Sequence, residues 1–343
     1  MQLFVIAILT SIFNTPLVLA AYDSSVPKDY VPKLLSGGPK AYFKEINSGW
    51  FDEQYSSLKK KLKPGRSYLV LHNRLPSTTM DLRTANGFRE SIFNLGLLQV
   101  KELDIGHVML GWRCEIEGKT VEGNTGISGE TTNQQYAMAK AGWGMTGLFS
   151  IFTDGHLQTP TLVRSVFRQA KAKQIATLAF EVEHEQCKQM LSFLYEFLSH
   201  PSKPYKRFGL NANPLEFEGG GCGSFSASML GTSGAFNDFY EYLWRTMTVH
   251  KNTFGYGLPN LPGSIDPFPI EHEPGKSRKV HMLRTLFLMN WNPTHESNAV
   301  PMNVMDPELL FLLQQTVMRA SLDEVYRDSL KMGRALLKSP VVR

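Results

Sequence analysis

Cys222 follows three glycines, Gly219-Gly220-Gly221, and precedes Gly223-Ser224-Phe225-Ser226-Ala227-Ser228-Met229-Leu230. The pattern reads as a bare loop feeding a short apolar helix, with a thiol in its first turn. The positive end of a helix favours thiolate, the form of cysteine that attacks carbonyl carbon. The glycines are expected to leave the backbone open, so that a substrate can lie close to the sulfur. The competing reading is a small buried residue at the end of a glycine turn, since free cysteine commonly packs as a small hydrophobe.

A thiol nucleophile needs a base, and the base needs an orienting partner. Of nine histidines, His107 stands in an apolar strand signal at 104–112, directly after Gly106. Glu122 lies between Val121 and Gly123, on the strand that returns after the Glu117-Gly118-Lys119 turn. A carboxylate on the strand beside a histidine can accept its Nδ1–H, which leaves Nε2 facing the sulfur. Taken singly, His107 also fits a core histidine and Glu122 an exposed strand residue. Taken in order, His107, Glu122 and Cys222 form a candidate triad.

Other constellations are weaker. Glu181, His184 and Glu185 have the i, i+3, i+4 spacing of metal ligands on a helix, but no His-Glu-x-x-His accompanies them and a solvated charged face is expected. Glu271-His272-Glu273 reads the same way. Gly231-Thr232-Ser233-Gly234 lacks the spacing of a nucleophile elbow. The glycines before Cys222 lack the Lys-Ser/Thr of a phosphate loop. No metal and no cofactor is expected.

The elements that must position these residues are partly legible. After the Pro64-Gly65 turn, residues 66–72 read as a strand, and a helix follows around 80–94. Residues 104–112 and 120–123 read as a hairpin, and 123–133 as an irregular loop. Residues 176–200 read as one long helix, ended by Pro201. A loop at 205–221 delivers Cys222, a further helix is expected at 236–249, and 252–275 is a Gly/Pro-rich loop or lid. Residues 46–62 and 306–337 read as amphipathic helices.

The chain of 343 residues opens on an apolar run from Met1 to Phe13, with small residues around Ala20. This is expected to be a signal peptide cleaved after Ala20. Asn14, Thr15 and Pro16 interrupt the run short of the ~20 residues of a spanning helix. A secreted or periplasmic protein follows. The net charge of +5 suits peripheral contact with anionic walls or membranes, and the basic runs come with no nucleic-acid motif. Three cysteines in an oxidising compartment leave at least one thiol free or intermolecular. Pairing Cys114 with Cys187 would free Cys222; three reduced thiols, two of them in the core, is the alternative.

The order of the motifs resembles the circularly permuted branch of the NlpC/P60 papain-like superfamily. Pro64-Gly65-Arg66-Ser67-Tyr68-Leu69-Val70 looks like that family's opening "PGD" strand. Gly106-His107-Val108-Met109-Leu110-Gly111 is similar to its "SHVGI" strand, and Val121-Glu122-Gly123 stands where its "EA" carboxylate falls. Gly221-Cys222-Gly223-Ser224-Phe225 stands where its "NCSSF" nucleophile falls. Arg66 replaces the Asp, Gly221 the Asn and Gly123 the Ala of those motifs.

The resemblance implies an α+β fold, a papain-like antiparallel sheet with packed helices and a mainly helical C-terminal extension. The expected organisation is a signal peptide at 1–20, a lead-in and helix at 21–63, a catalytic core at 64–240 with an insertion near 123–175, and the extension at 241–343. It implies a cysteine hydrolase that cleaves an amide or acyl bond, in cell-wall peptides by the family's best-known use, through Cys222, His107 and Glu122 and an acyl-enzyme. A lipid acyl hydrolase or acyltransferase is the nearest alternative. A secreted binding protein on the same frame, without turnover, is the other. Partners would be wall peptides or acylated molecules; oligomeric state is not legible.

Overall fold

The computed structural model describes residues 5–7, 38–49, 58, 60, 62–74, 81–98, 106–129, 132–169, 175–234, 243–259, 265–306 and 309–310. Its centre is an antiparallel sheet. The strands are β1 (Val5–Ala7), β2 (Ser67–Arg74), β3 (His107–Ile116), β4 (Lys119–Thr125) and, much later in the chain, β8 (Ile175–Val182), in the order β1-β8-β2-β3-β4. The edge strand β1 is drawn from the segment expected to be a signal peptide.

Alternation along β2 shows why the sheet holds two layers apart. Leu69 and Leu71 enter a core that also contains Leu110, Trp112, Leu178 and Phe180. Tyr68 and Val70 enter a second cluster on the other side, with Met109, Ala179, Val163 and Phe167. A period of two on one strand feeding two clusters is the signature of a sheet buried on both faces. The first core is roofed by α1 (Gly38–Ile46), α6 (His184–Ser199) and α7 (Cys222–Thr232), through Tyr42, Ile46, Met190, Phe197, Phe225 and Met229. The second is covered by α5 (Pro160–Gln169). The overall class is α+β, an antiparallel sheet with packed helices.

A disulfide joins Cys114 of β3 to Cys187 of α6, with Cα atoms 5.6 Å apart, and Cys222 is the free thiol. It closes a loop of 73 residues, worth roughly 4 kcal/mol on the chain-entropy model.

Several expected elements are corrected. Residues 176–200 are not one helix. Leu178, Phe180 and Val182 recur every second residue and form β8, whereas Met190, Leu191, Leu194 and Phe197 follow helical spacing in α6. The break comes at Glu183, whose N–H donates to the Gln186 side chain at 3.0 Å, closing the helix start. The expected helix at 236–249 is, from Trp244 on, a strand: β9 (Trp244–His250) buries Met247 and Val249 and exposes Thr246 and Thr248. β9 pairs antiparallel with β11 (Ala299–Met305), so the described part of the C-terminal extension is not mainly helical. Its helix there, α8 (Met282–Leu288), is seven residues long. The first described helix, α1, lies in the stretch read as a lead-in. Most of 47–62 and all of 311–343 fall outside the described residues.

The described residues of the segment taken as an insertion form regular elements. It contributes the short strands β5 (Ile127–Gly129), β6 (Ile151–Phe152) and β7 (Gly155–Leu157), with helices α3 (Thr132–Ala141) and α4 (Thr146–Phe149), before α5. β5 pairs with β7, and β6 pairs with β10 (Ile265–Asp266). Phe149 of this segment, Phe88 of α2 (Ala85–Leu98) and Phe254, Trp291 and Met302 share another core. Residues 123–175 thus tie the central sheet to the β9–β11 ribbon.

Candidate active site

The start of β3 and the start of α7 meet. Gly106, at φ +80°, adopts a backbone conformation that side chains disfavour, and it turns the chain into β3 at His107. The His107 ring and the Val108 backbone N–H both engage the Cys222 sulfur. Cys222 is the first residue of α7 and partly exposed. Ser224 steadies this helix start: its Oγ accepts the Gly221 N–H at 2.9 Å and lies 3.2 Å from the Gly221 carbonyl and 3.4 Å from that of Ala212.

The glycines before Cys222 serve the loop rather than a substrate. Gly219 has φ +120°, and a Cβ there would sit 2.3 Å from the Arg207 carbonyl oxygen. At Gly220 a Cβ would meet the Pro214 ring at 3.0 Å. All three are buried, so the expected open approach along them is not what the fold uses them for.

The partner that orients His107 is Gln158, not Glu122. His107 Nε2 lies 2.8 Å from Gln158 Oε1. Gln158 Nε2 lies 3.5 Å from Ser128 Oγ, so the carboxamide turns its oxygen to the imidazole and its nitrogen to the hydroxyl. An oxygen acceptor there places a proton on Nε2 and leaves Nδ1 for the sulfur, the reverse of the arrangement expected with Glu122. Gln158 is itself fixed by its backbone: its N–H donates to the Gly126 carbonyl at 2.7 Å, and its carbonyl accepts from Thr125 Oγ1 at 2.8 Å. Gly126 lies against the pair. A Cβ on it would come within 2.8 Å of Gln158 Oε1 and 3.3 Å of His107 Nε2.

Glu122 stands at the other end of the hairpin. Its cross-strand neighbour is Arg113, six residues along β3 from His107, or about 20 Å at ~3.3 Å per residue. Its carboxylate lies 3.7 Å from Arg113 Nη1, and it lines a shallow depression with Asn47, Ser48, Gly49, Arg113 and Thr120. Register explains the miss: the pairing that starts at the tight turn sets Glu122 opposite Arg113, three residues from the turn end of β3 and six from His107 at the other end.

The electrostatics make His107 and Cys222 a coupled pair. Burial opposes thiolate formation at Cys222. The hydrogen bond and charge of His107 outweigh it, helped by the N–H groups of Val108 and Gly223, and the thiol titrates below its ordinary value. Burial likewise opposes the His107 cation, and Arg74, its cross-strand neighbour on β2, adds repulsion. The Cys222 thiolate and the Gln158 oxygen overcome both, and His107 titrates above its ordinary value. Both shifts move the pair toward thiolate and imidazolium.

The Glu181, His184 and Glu185 set does not assemble. Glu181 lies on β8 and binds Arg66 Nε at 2.6 Å, with Lys63 at 3.6 Å. His184 Nδ1 pairs with Ser67 Oγ at 2.8 Å. Among the described residues no group of three or more His, Cys, Asp and Glu side chains is placed to hold a metal ion. Gln158 is not legible from sequence, because a glutamine ahead of Thr159-Pro160 has no acid–base chemistry to mark it.

Comparison with protein-family models, with characterised proteins and with solved structures returned no match.

Proposed function

We propose that this protein is a thiol hydrolase that opens an amide or acyl bond through an acyl-enzyme on Cys222. One observation carries the proposal: a partly exposed cysteine at a helix start, bonded to a histidine whose far nitrogen is held at 2.8 Å by a fixed carboxamide. A packing cysteine needs no such chain behind it.

The residues divide the work as follows. Cys222 thiolate attacks the carbonyl carbon. The oxyanion forms beside the Cys222 backbone N–H, which as the first residue of α7 has no partner within the helix. His107 gives its Nδ1 proton to the leaving amine or alcohol as the carbon–heteroatom bond breaks, and a thioester remains. Neutral His107 then takes a proton from water as the water oxygen attacks the thioester, and the carbon–sulfur bond breaks to release the acid and leave Cys222 as thiolate beside the protonated His107. Gln158 holds the ring edge-on throughout and keeps Nδ1 aimed at the sulfur. A neutral orienter suits this task, because the ion pair is already balanced and a third charge is not required.

The chain order of histidine strand, then orienter, then cysteine helix, with that helix packed on an antiparallel sheet, supports a permuted papain-like arrangement in which Gln158 stands in the role expected of Glu122. The Cys114–Cys187 bridge supports an exported protein in an oxidising compartment. Cell-wall peptides are the proposed substrate class.

The test is chemical. Cys222→Ala and His107→Ala should each abolish release of fragments from isolated wall peptides, followed by mass spectrometry, while thermal unfolding stays cooperative. Full turnover in either folded variant removes the reading.

A further inference from the structure

The β9–β11 ribbon ends in a cluster of positive charge that the Cys222 chemistry does not use. His250 closes β9 opposite Ala299 of β11, and Lys251–Thr253 follow it as a single short turn. Arg278 reaches the same turn from a later segment, whose backbone exchanges hydrogen bonds with Tyr256 at 2.8 and 3.1 Å.

Asn252 holds the cluster together. Its backbone N–H donates to His250 Nδ1 at 3.0 Å, and its Oδ1 accepts from Arg278 Nη1 at 2.6 Å. Because Nδ1 accepts, the proton of the neutral ring is on Nε2, which is left as a donor. Burial first, and then the charges of Arg278 and Lys251, hold His250 below its ordinary value and keep it in that neutral form. Lys251 Nζ donates to the Ser297 carbonyl at 3.0 Å, a contact that brings no negative charge.

Among the described residues neither Arg278 nor Lys251 has a carboxylate within ion-pair distance. Elsewhere the fold balances its arginines: Arg66, Arg113, Arg207 and Arg245 each meet a carboxylate. Lys251 is exposed, and His250, Asn252 and Arg278 are half-buried, so a ligand can reach the turn from solvent. Two like charges held beside one neutral donor repel each other until an anion joins them.

We propose that this turn is a phosphate-binding site, in which the Arg278 guanidinium, the Lys251 ammonium and the His250 Nε2–H hold the oxygens of one phosphoryl group. A phosphate ester brings three acceptor oxygens and nearly two charges, which matches three donors and two cations. A carboxylate brings two oxygens and a single charge and leaves one donor idle. The turn belongs to the ribbon and not to the sheet that carries His107, so the site stands apart from the hydrolase reading.

The test is a titration of the full chain with inorganic phosphate at constant pH, read by NMR at the His250 ring and assigned with His250→Gln. A saturable shift in the millimolar range is expected. Sodium chloride at equal ionic strength should not reproduce it, and acetate should bind at least about tenfold more weakly. Lys251→Gln and Arg278→Gln should each weaken phosphate binding about tenfold. Arg278 also braces the turn, so Arg278→Lys, which keeps the charge, should retain part of the affinity. Iodoacetamide labelling of Cys222 should be unchanged in Lys251→Gln, which shows that the fold is intact. The proposal is overturned by the absence of a saturable shift, by an equal response to chloride or acetate, or by undiminished binding in Lys251→Gln. Glycerol 3-phosphate and vesicles of phosphatidylglycerol separate the sources of the group. Vesicle binding that falls in Lys251→Gln assigns a lipid headgroup, and binding of the soluble ester alone assigns a free phosphomonoester; each supports the site.

Discussion

The two ends of the β3–β4 hairpin carry similar residue types and do different things. At the open end, His107 is held by a neutral carboxamide and faces a thiol whose proton it takes. At the turn end, Arg113 lies between Glu115 at 3.6 Å and Glu122 at 3.7 Å, with each side chain partly wetted. The turn-end charges neutralise one another near water, where such pairs contribute little. The open-end pair is also partly exposed, but its members are coupled, so each partner shifts the other. Charge alone does not make a site; a partner with unequal proton affinity does.

The sharpest way to break this comparison is to exchange the orienters. Gln158→Ala should lower turnover by about 10²–10⁴-fold, by analogy with loss of the third member of a hydrolytic triad. Glu122→Gln should leave it within about twofold. Steady-state rates on one substrate decide: equal losses would return Glu122 to the site.

A smaller but structurally specific effect is expected from Gly126→Ala. The added Cβ would press on Gln158 Oε1 at 2.8 Å, so either the amide or the ring must move. Turnover should drop at least tenfold, while iodoacetamide labelling of Cys222 loses its low-pH reactivity, because a displaced imidazole no longer supports the thiolate. Retention of both would mean that the Gln158–His107 contact is dispensable.

The pH dependence sharpens the same contrast. Cys222 titrates below its ordinary value and His107 above its own, so each shift moves the pair toward thiolate and imidazolium. The acid limb of kcat/KM should follow Cys222 and the alkaline limb His107. The stabilisation from His107 is complete below its unfolded value and fades as pH rises through its folded one. That from Cys222 is complete above its unfolded value and fades as pH falls through its folded one. Alkylation of the His107→Ala variant should move to the ordinary thiol range near ~8.5. A wild type that already labels only in that range contradicts the pairing.

The smallest effect belongs to the turn end. Glu122→Gln should change stability by no more than about 0.5 kcal/mol in denaturant unfolding, as for surface positions generally. A loss of several times that size would mean that the Arg113 cluster is a structural anchor and not a wetted rim.

Cys222 and His107 were legible because their types and local settings are distinctive: a thiol at a glycine-led helix start, and a histidine after a glycine at a strand start. The strands β2, β3 and β4 were legible from turns and alternation. β8 was not, because Leu178, Phe180 and Val182 run without a break into the helical pattern of α6, and a window across both sees only a long apolar stretch. The β9–β11 ribbon was hidden for a related reason: its pairing is between segments some fifty residues apart, and no local turn announces it.

The amino-acid order by itself determined the reactive types, their sequence along the chain and the hairpin that carries the histidine, since these follow from turn chemistry and short-range periodicity. Which polar group stands behind the imidazole was decided only in three dimensions. Strand register carries Glu122 away from His107, and the packing of β5, β7 and Gly126 brings in a glutamine from fifty-one residues downstream. Local forces fix each strand's alternation, but only the closing of the sheet and its neighbouring ribbon selects which side chains share a space.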